Sequence, residues 1–139
     1  MVPECLALLA PEIRARGAVI ELGELPEVSA EETLIGAVFM NLLSNALKYG
    51  PRHGGAIRIG ASWERAGWRF YVRSKGQSIP PEDRERIFEP YQRGRGERRV
   101  RGGGLGLAIC RQIVERHGGE IAVAPSEAGQ NTFTFTLPR

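Results

Sequence analysis

The chain holds 139 residues, 42% of them apolar and 25% charged, which is ordinary for one folded domain and excludes a disordered segment. The net charge of +3 is concentrated: residues 84–101 carry seven arginines and three glutamates, net +4, so a single segment is basic while the rest of the chain is close to neutral. Cys5 and Cys110 lie far apart without a CxxC or paired histidines, which excludes a zinc site or a disulfide framework and leaves both as small apolar residues. No apolar run approaches the roughly 20 residues needed to span a bilayer, and no secretory leader is visible, so the chain is expected to be soluble and cytoplasmic, within a parent protein that can itself be membrane-anchored.

In chain order, Val2, Cys5, Leu6, Leu9 and Ile13 fall near one helical stripe over residues 2–15, and Gly17 stops that helix before a strand around Val19 and Ile20. Ser29 and Glu32 have the spacing of a capping box for a helix running to about Tyr49. Leu34, Ile35, Val38, Phe39, Leu42, Leu43 and Leu47 wrap most of its surface, which predicts burial against a sheet. Gly50-Pro51 and Gly54-Gly55 break the chain, and residues 56–63 and 68–73 alternate as a hairpin around Ala66-Gly67. Pro80-Pro81-Glu82-Asp83 predicts a short helix ending before Pro90.

Residues 93–104 carry arginine and glycine with almost no apolar anchor, the composition of a mobile loop. A second apolar helix follows from about Leu105 to Arg116 and stops at Gly118-Gly119. Strands are predicted for Ile121–Ala124 and Thr132–Leu137, where Phe133, Phe135 and Leu137 share one face. The sum is an α+β fold: a two-layer sandwich of a mixed, mostly antiparallel sheet with helices on one face, in one domain over residues 1–139.

Two groups of residues carry chemistry. Asn41, Asn45 and Lys48 project from one face of the long helix, at spacings of four and three. An amide oxygen suits Mg²⁺ and a lysine suits phosphate, although asparagine and lysine are also common where a helix end meets solvent. Gly102-Gly103-Gly104-Leu105-Gly106-Leu107 opens directly into a helix, where bare N–H groups and the helix dipole favour a phosphate; a glycine cluster alone also serves as a hinge.

Taken together, the segments Asn41–Tyr49, Arg86–Tyr91 and Gly102–Leu107, followed by Ile113-Val114-Glu115-Arg116-His117-Gly118-Gly119, resemble the ATP-binding domain of sensor histidine kinases in order and spacing over nearly the whole chain. That resemblance implies a Bergerat-type ATPase fold that binds Mg-ATP and presents its γ-phosphate to a histidine on a separate dimerisation domain. Asn45 would hold Mg²⁺, Asn41 and Lys48 would lie near the triphosphate, and Tyr49 would line the nucleotide site. Phe88 would anchor a lid over about residues 92–103. Arg93 would approach the terminal phosphate, and Gly102, Gly104 and Gly106, with Leu105 and Leu107 beside them, would form the end of the lid at the phosphates. The implied partners are the phosphoacceptor and dimerisation domain of a parent kinase and a downstream response regulator, with no nucleic acid and no membrane contact.

The base pocket departs from the pattern. The family usually reads Asp-x-Gly-x-Gly-Ile where this chain reads Ser74-Lys75-Gly76-Gln77-Ser78-Ile79, so Ser74, Gly76 and Ile79 would line it without the carboxylate that accepts from adenine. Exchanging a charge-assisted hydrogen bond for a neutral one weakens binding about 5- to 30-fold. Ser74 and Ser78 therefore favour a second reading, a degenerate non-catalytic module used for protein contacts; Asn45 and the glycine cluster oppose it. A third reading, a free-standing anti-sigma-factor kinase, fits the Arg86–Tyr91 segment less well. His53 and His117 lie outside any acceptor-type helix and read as surface or capping residues.

Overall fold

The computed structural model describes residues 2–26, 32–49, 55–65, 67–75, 81–89, 103–127 and 129–138. Five strands form one sheet in the order β1-β2-β3-β5-β4: β1 (Val19–Leu22), β2 (Ala56–Glu64), β3 (Gly67–Lys75), β4 (Ile121–Glu127) and β5 (Gln130–Pro138). Among the described residues β1 and β2 pair in parallel, and β2–β3, β3–β5 and β4–β5 pair antiparallel. The helices α1 (Val2–Leu8), α2 (Ala10–Arg16), α3 (Glu32–Tyr49) and α4 (Gly103–Arg116) complete the expected two-layer sandwich.

The expected single helix over residues 2–15 is in fact two. Backbone bonds from Leu9 N–H to Cys5 O (3.0 Å) and from Ile13 N–H to Leu9 O (2.9 Å) carry across the junction. Pro11, however, has no N–H for the carbonyl one turn before it, so the helix is divided at Leu9. The short helix expected after Pro80 is likewise two single 3₁₀ turns, Pro81–Asp83 and Arg86–Phe88. The hairpin strands run longer than the alternation suggested, and β3 takes in Ser74 and Lys75. Ser29 of the expected capping box and the Gly50–Gly54 break lie outside the described residues.

The core lies between sheet and helices. Ile35, Val38, Phe39, Leu42, Leu43 and Leu47 of α3 are all buried, and they meet Ile59, Phe70, Val72, Phe135 and Leu137 from the sheet in one cluster. Phe39 stands edge-on to Phe70 and to Phe135 (centroids 5.8 and 5.2 Å), while those two rings stack at 5.0 Å. Edge and offset contacts of this kind add to the burial of apolar area. Cys110 Sγ lies 3.9 Å from Val38 O, and burial pushes its thiol up to about 12; Cys5 is also buried. Both cysteines act as small apolar residues, and among the described residues no three His, Cys, Asp or Glu side chains converge as metal ligands.

α4 ends as the Gly118-Gly119 pair predicts. Gly118 takes φ +82, a conformation costly for other residues, and Gly119 N–H returns to Val114 O at 3.0 Å. His117 caps the same turn through Nδ1, 2.8 Å from Ile113 O.

Candidate functional site

Asn41 and Asn45, one turn apart, are half-buried beside fully buried Leu42 and Leu43. The Nδ2 of Asn41 donates to Ala37 O at 2.9 Å, which fixes the amide plane. Its Oδ1 then faces α4: a Cβ added at Gly106 would come within 2.7 Å of that oxygen. A side chain at 106 would therefore displace the Asn41 amide, and glycine there lets the first turn of α4 sit against the amide face of α3.

That first turn begins at Gly103, two residues before the expected start at Leu105. Gly103, Gly104 and Gly106 are thus helical, although glycine costs about 1 kcal/mol per residue there. A helix N-terminus leaves up to four backbone N–H groups without helical partners and carries a partial positive charge. Leu107 packs against the core cluster and so sets the seat of this turn.

Phe88, on the second 3₁₀ turn, is a core residue. It is 2% exposed, meets Phe133 edge-on at 6.3 Å and lies under Arg111, whose guanidinium carbon is 5.9 Å from the ring centroid. Arg111 also bonds Glu85 at 3.0 Å and Glu115 at 3.4 Å, while Arg86 pairs with Asp83 at 3.7 Å. These two arginines are occupied in structural pairs that tie the 3₁₀ turns together and to α4.

Ser74 lies near the end of β3. Strand alternation places it on the same face as Phe70 and Val72, which are buried under the helices. Its register partners are Ile57 on β2 and Asn131 on β5. The structure thus brings together Asn41, Gly106 and Leu107 at the α3–α4 junction, with Asn45 one turn along and Ser74 on the sheet's helix-facing side. Lys48 and Tyr49 close α3, and Gly104 and Leu105 lie in the first turn of α4, with the side chains of Lys48, Tyr49 and Leu105 outside the described part. Gly76, Ser78, Ile79, Arg93, Gly102, His53 and most of the expected lid lie outside the described residues.

Two buried polar residues went unnoticed in the sequence. Asp83 is 2% exposed and Asn131 9%. Stepping back by two from Leu137, Phe135 and Phe133 puts Asn131 on the apolar face of β5, a signal that was available.

The family of histidine kinase-, DNA gyrase B- and HSP90-like ATPases matches residues 30–139, and the chain belongs to it. The chain is 36% identical over 138 residues to phytochrome-like protein Cph1 of Synechocystis, covering 99% of this chain and 18% of that protein. It therefore spans less than a fifth of that relative's length. Among solved structures, the catalytic domain of histidine kinase ThkA is 31% identical with a TM-score of 0.83, covering 99% of this chain and 90% of that one. ThkA has also been solved in complex with response regulator protein TrrA (30% identical, TM-score 0.78, 99% and 39% covered). Full-length ShkA in complex with AMPPNP is 28% identical with a TM-score of 0.83, covering 99% of this chain and 29% of that one. The sandwich is thus the fold of histidine kinase catalytic domains, and an ATPase domain of this kind binds ATP. Among the described residues no helix is long and apolar enough to cross a membrane.

The contact at Gly106 separates binding from stability. Gly106→Ala should leave the unfolding free energy from urea titration within about 1 kcal/mol of wild type, because alanine's better helix propensity offsets the displaced Asn41 amide. Mg-ADP affinity should fall about tenfold, roughly 1.4 kcal/mol, when the face between α3 and α4 is disturbed. Unchanged affinity in a folded variant would show that nucleotide does not depend on this junction.

Proposed function

We propose that this chain binds Mg-ATP at the junction of α3 and α4 and delivers the γ-phosphate to a histidine on a separate dimerisation domain of a parent sensor kinase. The observation that carries this reading is the seating of α4's glycine-rich first turn on Asn41, which puts bare backbone N–H groups beside the amide face of α3. These residues fit the ligand: the Asn45 amide is a hard oxygen donor of the type Mg²⁺ prefers, and the start of α4 suits a phosphate. Mg²⁺, when bound, neutralises charge on the phosphate oxygens.

The chain's own part is positioning and charge. Asn41 and Lys48 face the triphosphate. Gly102 and the start of α4, with Gly104, Leu105, Gly106 and Leu107, would cradle it, and Arg93 would reach it from a lid over about 92–103. Tyr49, Ser74, Gly76 and Ile79 hold the base. Holding donor and acceptor in line converts a bimolecular transfer into an oriented one. The downstream partner is a response regulator, as the ThkA complex with TrrA suggests by analogy. A supply of ATP places the domain on the cytoplasmic side. The non-catalytic module is not favoured, since the relatives are histidine kinases.

With ATP labelled at the γ-phosphate, the isolated chain should remain unlabelled, because His117 stands at the C-terminal cap of α4, its Nδ1 on Ile113 O, and not on an acceptor-type helix. A supplied dimerisation domain of its parent kinase should acquire acid-labile label. Phosphohistidine on this chain at His53 or His117, or phosphoserine on a partner protein, would overturn the reading.

A further inference from the structure

Among the described residues the helices pack on one side of the sheet, so its other face is uncovered. Strand alternation places Arg58 and Gly60 of β2 and Tyr71, Arg73 and Lys75 of β3 on that outer face. Arg58 and Arg73 stand directly opposite each other in the β2–β3 ladder, with Lys75 two residues further along, and all three are exposed. Like charges directly opposed across an antiparallel pair are destabilising. Among the described residues no carboxylate pairs with any of the three. Of the acids on this face, Glu64 is held by Arg69 at 2.9 Å, and Glu21 on the edge strand stands in register with Arg58 without forming an ion pair. The arginines are also held in place. Gly60 is buried beneath its register partner Tyr71, whose ring lies where a Cβ at 60 would sit. Arg73 stands over the same ring, 5.3 Å from its centroid, and its Nε donates to Thr132 Oγ1 at 3.2 Å. A guanidinium fixed in this way has less rotamer freedom to lose on binding.

We propose that this outer face is a docking surface for an acidic helix of another protein domain, whose carboxylates pair with Arg58 and Arg73. The observation that carries it is the uncompensated arginine pair: carboxylates laid across the ladder turn its repulsion into attraction, and each guanidinium fork matches a carboxylate with two parallel hydrogen bonds. The spacing suits a helix. Directly opposed residues hold their Cβ atoms about 4.5–5.5 Å apart, and glutamates four apart on a helix hold theirs about 5–6 Å apart. A sheet buries a face by receiving helices, as this one already does on its inner side. A polynucleotide fits less well, because Tyr71, with Gly60 beneath it and Arg73 over it, offers no open ring on which a base could stack. The docking surface is separate from the α3–α4 junction and does not depend on nucleotide binding there.

The test titrates the isotope-labelled chain, followed by NMR, with an alanine-based helical peptide of about 20 residues that carries glutamates four apart along one face. Amide shifts should concentrate at Arg58, Tyr71 and Arg73, and the double variant Arg58→Gln, Arg73→Gln should bind the peptide at least about tenfold more weakly. Arg58→Gln alone should raise the urea midpoint, because it removes the repulsion across the ladder. A lowered midpoint would show that the arginine serves the fold, and would overturn the proposal. So would the absence of shifts at millimolar peptide, shifts centred on the arginine-rich residues 93–104, or binding that the double variant retains. Displacement of the peptide by Mg-ADP would place it at the nucleotide site instead. Equal affinity for a single-stranded oligonucleotide of the same charge would show an anion surface without preference for protein, and would equally overturn the assignment.

Discussion

Asn45→Ala should remove the Mg²⁺ dependence of nucleotide binding, if Asn45 holds the metal as proposed above. Affinity for ATP in the presence of Mg²⁺ should fall about 100-fold, roughly 2.7 kcal/mol, while affinity in EDTA stays as in wild type. The side chain is half-buried at the edge of the core and not within it, and alanine is the better helix former, so α3 and the fold should persist. The check is four titrations, both proteins with and without Mg²⁺, beside a denaturation curve. A variant that still binds more tightly with Mg²⁺ than without would remove Asn45 from the metal's ligands.

Phe39→Ala should cost about 3–5 kcal/mol of stability, the range for emptying a large aromatic site in a packed core. Phe39 is 1% exposed and meets both β3 and β5, edge-on to the stacked pair Phe70 and Phe135. Its loss therefore loosens the seat of α3, the helix that carries Asn41 and Asn45. Urea denaturation should show the midpoint falling with little change in slope, and nucleotide affinity should weaken with it. A cost below about 1 kcal/mol would mean that the helix is held to the sheet chiefly elsewhere.

Much of this architecture could be read in the residues because local pattern and tertiary burial agree. α3 is apolar around most of its circumference, which only a buried helix tolerates, and β5 alternates Phe and Thr with a period of two. Where the two disagreed, the pattern misled. Pro11 divides a continuous helical stripe because one backbone donor is missing, and nothing in side-chain periodicity records that. Gly103 and Gly104 are poor helix formers, yet α4 begins there, and Gly106 is helical because the packing of its turn on Asn41 outweighs propensity. The 3₁₀ turns between Pro81 and Phe88 are held by the Arg86–Asp83 pair and by Glu85's bond to Arg111, the latter 26 residues distant in sequence.

The candidate site was legible in the same uneven way. Asn41, Asn45 and the glycine cluster announce themselves by spacing, and the structure joins Asn41 to Gly106. Ser74 was visible as a departure from a motif. The pairing of Asn131 with Ser74 was not, because it depends on a register between strands 57 residues apart, and register is set by pairing and not by either strand alone. Reading the alternation of β5 one step further back would have placed it on the buried face, but not beside Ser74.

Calorimetric titration of the wild-type chain with Mg-ADP tests the central claim most directly. The account predicts one saturable site per chain, with affinity lost when EDTA replaces Mg²⁺. No binding at millimolar Mg-ADP by a chain shown to be folded would contradict it, and would make this sandwich a member of an ATPase family that has given up its nucleotide.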